Sequence, residues 1–205
     1  PVDCRLTRRG RAAVTVAAAA LVLAACGGPN AGSDQDHSED QTVTWVNSGG
    51  FSVPSADAGP TDTEGKAAAG FEQSGFGAAL AAAHHSVALD TASDRDFGAV
   101  LNAVTVDDEG RRLWAAARAG LKIGQPQADR VPTLEAWSAN PADPVLQTQV
   151  HLYWRQYDGS MTEQRRQMMW DGADWRLQLP HSPQSPELRA VAAPPEQATP
   201  FDPPA

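Results

Sequence analysis

The alternation of apolar and polar residues along this chain changes character several times, and each change marks a boundary. From Ala12 to Ala25 almost every position is apolar, and arginines precede the run. That is too short for a comfortable bilayer-spanning helix, which needs roughly 20 apolar residues. Residues 1–25 therefore read as an export signal: a basic start, an apolar centre and small residues before the cut. From Gly27 to Gln41 apolar side chains nearly vanish. Such a composition buries too little surface to offset the entropy of ordering, so residues 26–41 are expected to form a flexible acidic tether.

Structured periods begin at Thr42. Thr42 to Val46 is β-branched and aromatic, Asn47-Ser48-Gly49-Gly50 is a turn, and Phe51 to Val53 returns, which predicts a short hairpin or an edge strand with a turn. Gly59-Pro60 breaks the small, polar stretch that follows. Ser74 then caps a helix running towards Leu89, with Leu80, His84 and Val87 at the spacing of one face. Ser93 to Asp96 resembles a capping box, and Phe97, Val100, Leu101 and Val104 keep helical register behind it. A third helix starts from Thr105-Val106-Asp107-Asp108, turns Leu113, Trp114 and Ala117 inward, and stops at Gly120.

Past Gly124-Gln125-Pro126 the period shortens to two. Val131 to Ser138 makes a strand, and Asn140 to Pro144 forces a turn. Val150, Leu152 and Trp154 then alternate with His151, Tyr153 and Arg155. Turns at Asp158-Gly159 and Asp171-Gly172 bring back Met161 to Trp170 and then Trp175, Leu177 and Leu179, an antiparallel meander with one buried face. Helices first and meander second is the order of an α+β domain, about three helices packed on a curved antiparallel sheet over residues 42–181. The remaining residues, 182–205, hold seven prolines. They are expected to form a disordered or polyproline II tail.

Charge changes the picture once the signal is removed. The chain carries a formal net charge of -9, and residues 1–25 contain Arg5, Arg8, Arg9 and Arg11 against Asp3 alone, so 12 basic and 24 acidic residues are left. An acidic surface of that kind repels nucleic acid and anionic headgroups, so no nucleic-acid partner is expected.

Leu23-Ala24-Ala25-Cys26 closes the apolar run and resembles a bacterial lipobox: a branched apolar residue, two small ones and a cysteine. The resemblance implies diacylglycerol on the Cys26 sulfur and cleavage before it. The product is held at the extracytoplasmic face of the cell membrane by its acyl chains, two or three of which anchor a protein stably. Arg8-Arg9 leaves the twin-arginine route open beside the general secretory one. Cys4 departs with the signal and Cys26 is blocked as a thioether, so the mature chain has no thiol for a disulfide, a nucleophile or a metal.

Trp45, the Gly59-Pro60 loop, the stretch from Gly70-Phe71 to Gly77-Ala78-Ala79 and the run from Met169 to Leu177 are similar to actinobacterial secreted or lipid-anchored proteins of unknown function. Some of those relatives are linked to conjugative elements. The helices-then-meander plan, with its Trp-Asp-Gly-x-Asp-Trp hairpin, also resembles NTF2-like and VirB8-like folds. That comparison carries fold and not function.

Candidate chemistry is sparse. Asp34, Asp36, His37, Glu39 and Asp40 read as solvated linker charge rather than a metal site, and Asp107-Asp108-Glu109 as compensation for a helix dipole rather than a calcium loop. His84-His85 point about 100 degrees apart on a helix, one expected packed and one solvated. His151, Tyr153, Arg155 and Tyr157 share a strand face, where His151 with a neighbouring acid would make a general base if that face lined a pocket. Arg155, Arg165 and Arg166 are candidates to meet an acidic partner. No catalytic motif, cofactor site or metal site emerges. The leading expectation is a non-enzymatic interaction module in a cell-envelope or conjugation-type assembly, with a small-ligand-binding or hydrolytic NTF2-like domain as the alternative.

Overall fold

The computed structural model describes residues 42–124, 126–142, 145–182 and 187–203. The anchor residues Leu23, Ala24, Ala25 and Cys26, the signal and the tether lie outside them. Two strands, β1 (Thr44–Ser48) and β2 (Phe51–Ser55), pair through the Gly49-Gly50 turn. Both glycines have positive φ, 58° and 93°. A two-residue hairpin of matching twist demands that conformation at both central positions, and only glycine adopts it without strain.

Helix α1 (Gly75–Thr91) starts where the sequence places it, with the Gly77 N–H donating to Ser74 Oγ at 3.0 Å. It is the centre of the molecule, buried on every side from Phe76 to Val87. A helix enclosed in this way has no polar face to show. Five of its buried residues are alanines (78, 79, 81, 82 and 83), whose small size lets neighbouring elements approach. The one-sided face built on Leu80, His84 and Val87 is therefore only part of the buried surface. His84 and His85 are both buried, at 4% and 1% exposure, and the expected solvated histidine does not exist. Their diverging directions are covered by different segments: His84 Nε2 donates to the Pro54 carbonyl of β2 at 2.9 Å, and His85 Nε2 to the Ala68 carbonyl of the loop at 3.2 Å.

Helix α2 (Phe97–Val104) follows a reciprocal Ser93–Asp96 pair. The Asp96 N–H donates to Ser93 Oγ and the Ser93 hydroxyl to the Asp96 carboxylate. Helix α3 (Glu109–Ala119) is capped by Asp108, which accepts the Arg111 N–H. Its inward face differs from the periodicity. Leu113 and Ala117 point outward, Trp114 is half-buried, and Arg118 is buried at 4% exposure. The reason is that the two terminal guanidinium nitrogens of Arg118 find partners in the Ala92 carbonyl, Asp94 and the Leu121 carbonyl, with the Phe97 ring 5.0 Å away, although its buried Nε has none. The face that packs is thus Gly110, Trp114 and Arg118, and a Cβ at Gly110 would sit 2.1 Å from the Leu179 carbonyl oxygen.

The meander forms as β3 (Thr133–Ala139), β4 (Gln147–Arg155), β5 (Met161–Trp170) and β6 (Trp175–Gln178). Val150, Leu152 and Trp154 face α1 in the core with Met168, Leu177 and Trp175, as the alternation predicts. Within the Pro-rich stretch, the described residues 187–203 carry two strands and are not a disordered tail. Strand β7 (Leu188–Val191) pairs antiparallel with the first half of β5, and β8 (Thr199–Pro200) with β3. The sheet has six strands in the order β6-β5-β4-β3-β8, with β7 also on β5. Between β7 and β8 the chain passes from one edge of the sheet to the other. Val191 and Ala198 pack on Ala136, Tyr153 and Met161 of the face turned away from α1. Pro194, Pro195 and Pro200 are compatible with this path because they occupy a loop and an edge strand, where no ladder N–H is lost. Phe201, 2% exposed, ends the path packed against Trp45, Phe76 and Trp137. None of the helices among the described residues is long and apolar enough to cross a membrane.

Candidate functional site

The polar cluster on the outer face of the sheet is built by register. The turn after β4 sets Tyr153 opposite Glu163 and His151 opposite Arg165, so His151 and Glu163 are diagonal neighbours. On the other side of β5, Arg189 of β7 stands opposite Glu163. Glu163 is 1% exposed, and its two oxygens are divided. Oε1 accepts from His151 Nδ1 at 2.6 Å, and Oε2 from the Arg189 guanidinium. Burial alone pushes the Glu163 carboxyl up, but the hydrogen bonds from His151 and Arg189 outweigh it and hold the group below its ordinary range. Glu163 is a bound carboxylate.

This arrangement fixes the imidazole. With Nδ1 given to Glu163, Nε2 is left as the outward nitrogen of a ring that is 28% exposed. An acid-oriented histidine of that kind is able to accept a proton from a neighbour. Ser138 stands opposite His151 on β3, with its Oγ 3.4 Å from the Tyr153 hydroxyl. The C-terminal segment crosses this face, with Val191 and Ala198 packed on Ala136, Tyr153 and Met161. Among the described residues a groove of about 660 Å³ lies elsewhere, between β1, the 60–68 loop, α1 and the start of α2, and is lined by His84, Lys66 and Asp96 but not by His151 or Glu163.

The three arginines proposed for an acidic partner do not make one patch. Consecutive strand residues point to opposite faces, so Arg166 turns inward. There it meets Ser86 Oγ at 2.8 Å and Glu187 at 2.7 Å while 8% exposed. Arg155 is held by both oxygens of Glu135, each at 2.8 Å, and Glu135 is the extra residue of a bulge in β3. Tyr157 lies beyond the end of β4, 64% exposed, with Arg130 over its ring. Asp108 of the acidic triplet accepts from Gln178 and pairs with His181 besides capping α3. Among the described residues no group of three or more His, Cys, Asp or Glu is placed to hold a metal ion.

Two groups escaped sequence reasoning. Glu163 was reachable through the hairpin register that the Asp158-Gly159 turn imposes, whereas Arg189 lay in a stretch dismissed for its prolines. Asp174 is the other. Its carboxylate accepts from the N–H groups of Gly70 (2.8 Å), Phe71 (3.2 Å) and Trp175 (2.8 Å), tying the loop before α1 to the turn before β6.

The buried histidines make folding pH-dependent. Burial holds His85 down to about 4, against weaker raising effects from the Ala68 carbonyl and Asp174, and it lowers His84 in the same direction. A group with a lowered folded pKa that is neutral when deprotonated costs stability only once the unfolded chain takes up its proton. Stability is therefore full above about 6.5 and falls as pH drops towards 4, by about 3 kcal/mol for His85. Urea midpoints measured between pH 7 and pH 4.5 are expected to decline, and His85→Gln to flatten that decline. An unchanged slope in the variant would refute the assignment.

Helices on one face of an antiparallel sheet, with a C-terminal strap across the other face, define an α+β domain whose most buried charges serve its own architecture. The chain belongs to the family described as a domain of unknown function, DUF8175, whose model matches residues 7–194. No curated protein and no solved structure matches it.

Proposed function

We propose that this protein is a membrane-anchored extracytoplasmic lipoprotein whose globular domain acts as a non-enzymatic interaction module, an accessory part of a cell-envelope or conjugation-type assembly. The observation that carries the reading is Leu23-Ala24-Ala25-Cys26 at the end of an apolar run, followed by an acidic stretch and then by a domain that contains no cysteine. A lipid-bearing cysteine followed by a polar spacer holds a folded domain away from the bilayer. The engagement of Glu163 by Arg189 supports a binding rather than a catalytic role. The kinship with actinobacterial lipid-anchored proteins of conjugative elements, and the NTF2-like comparison, belong to this proposal.

Cys26→Ser is expected to abolish labelling by a clickable fatty acid and to leave an uncleaved precursor that still carries the signal. Normal processing of the variant would overturn the anchor. The His151–Glu163 pair favours a second reading, a small-ligand or hydrolytic domain, in which His151 acts as a base. That reading requires ligand-dependent protection of His151 from chemical modification, and its absence across a metabolite and glycan panel would retire it.

A further inference from the structure

The groove beside the first hairpin has the size of a ligand site. Its volume of about 660 Å³ falls inside the roughly 300–1,000 Å³ that small-molecule and cofactor sites occupy. Its walls are small: Gly65, Ala67 and Ala68 on the loop side, Ala88 and Ala92 on the helical side. Where side chains are that short, the main chain of a ligand can come close.

One buried atom says what the groove asks for. His84 is 4% exposed, yet it lines the groove. Its Nε2 donates to the Pro54 carbonyl at 2.9 Å, and no group among the described residues meets its Nδ1. An imidazole that donates through Nε2 keeps a lone pair on Nδ1, so this atom is an acceptor in need of a donor. Burial lowers the pKa of the ring more than the Pro54 carbonyl raises it, which keeps that lone pair free of a proton. His85 offers no such opening, because it does not line the groove and its Nδ1 is completely enclosed. Buried polar groups are as a rule paired, so an acceptor turned to open space of this size marks a place for an N–H or O–H from outside the chain.

The rest of the lining decides which kind. Lys66 and Asp96 meet at 2.9 Å on the exposed rim and are the only Lys, Arg, Asp or Glu among the described lining residues. Each already has its counter-charge, so a phosphate or another ion finds none to spare. No phenylalanine, tyrosine or tryptophan lines the groove, and a base has no ring to stack on. The hydroxyls of Ser55 and Thr63 make no hydrogen bond among the described residues and are able to give or take one. A neutral ligand with both donors and acceptors matches this set. The peptide unit is such a group, with one N–H, one C=O and no charge.

We propose that this groove binds an extended, uncharged peptide segment of a partner protein, which donates a main-chain N–H to His84 Nδ1 and lies between the 60–68 loop and α1. This deepens the interaction-module reading by giving the partner a chemistry. It stands on the groove and not on the lipid anchor: normal processing of Cys26→Ser would overturn the anchor alone, and failure at the groove would leave the anchor untouched.

The test uses the isotope-labelled full chain in detergent and a panel of terminally blocked tetrapeptides built from Ala, Ser and Val. Saturable NMR shifts are expected at the Ala67 and Ala68 amides and at His84 Nδ1, whose resonance moves when it accepts a hydrogen bond. N-methylation of the best binder's backbone removes its donors and is expected to weaken binding at least tenfold. His84→Phe removes the acceptor and is expected to do the same. Because that variant also gives up the bond to Pro54, Ala88→Leu is its companion: it fills the groove, keeps the histidine, and is expected to lose at least tenfold in affinity with the sheet resonances unchanged. Shifts that never saturate, shifts centred outside the groove, or equal binding by the N-methylated peptide would overturn the proposal. So would N-acetylglucosamine or inorganic phosphate moving the same resonances at lower concentration than any peptide.

Discussion

Phe201→Ala is expected to lower the unfolding free energy by about 3–5 kcal/mol, the usual cost of emptying an aromatic site in a core. The ring lies in a Pro-rich stretch whose composition gives no sign of a core position. Here it is 2% exposed, with Trp45 at 6.1 Å, Phe76 at 6.4 Å and Trp137 at 6.3 Å between ring centroids. Its own N–H donates to the Glu135 carbonyl at 2.8 Å, at the bulge of β3. Loss of the ring therefore opens a cavity among three aromatics and loosens the last strand together. Urea unfolding followed by tryptophan fluorescence reads both effects, since Trp45 and Trp137 are in contact with the ring. A Phe201→Ala protein as stable as the parent would mean that residues 188–201 are not part of the folded unit. Phe201→Leu is expected to recover much of the loss, which separates packing from a general intolerance of change at the C-terminus.

Asp174→Ala should cost about 4 kcal/mol. The carboxylate accepts three backbone N–H groups, two of them on Phe71 and Trp175, which are 3% and 0% exposed. Hydrogen bonds to a charged acceptor contribute more than neutral ones, and each buried donor left without a partner costs about 1–3 kcal/mol. Trp175 suffers in addition: its Nε1–H donates to the Glu72 carbonyl at 2.8 Å, so the same loop is tied down from both sides. Asp174→Asn keeps one acceptor oxygen and is expected to lose about half as much. Equilibrium unfolding of the three proteins gives the ranking, and hydrogen exchange at Gly70 and Phe71 locates the damage. If the Asn and Ala variants lost equal amounts, the bracing role of the second oxygen would be refuted.

Both sites show where a local reading runs out. Asp174 sits in a turn signature, Asp171-Gly172-Ala173-Asp174, and such a turn is a sufficient local explanation for an aspartate. Two of its three partners, Gly70 and Phe71, are more than a hundred positions away in the chain, and no periodicity points to them. Arg118 illustrates the same limit on a helix. Leu113 and Ala117 argued for the core; specific carbonyls and a ring at the start of α2 turned Arg118 inward instead. His84 and His85 followed the geometry of a helix in pointing apart, but the sequence carried no sign that a hairpin and a loop would cover both directions. Prolines misled for a simpler reason. They mark positions without a donor, which suits an edge strand as well as a disordered tail.

What the sequence by itself determined is the local architecture: the glycine turn of the first hairpin, the Ser74 cap, the order of helices before meander, and the strand face of Val150, Leu152 and Trp154. These depend on propensities and periods that act over a few residues. It also carries the lipobox reading, which rests on a short motif and lies outside the described structure. Only the tertiary structure decided which charges are buried, what covers the outer face of the sheet, and that residues 188–201 complete it. Those outcomes depend on register and on contacts between distant segments. A carboxylate such as Glu163 survives burial only because a histidine from one strand and an arginine from another reach it together.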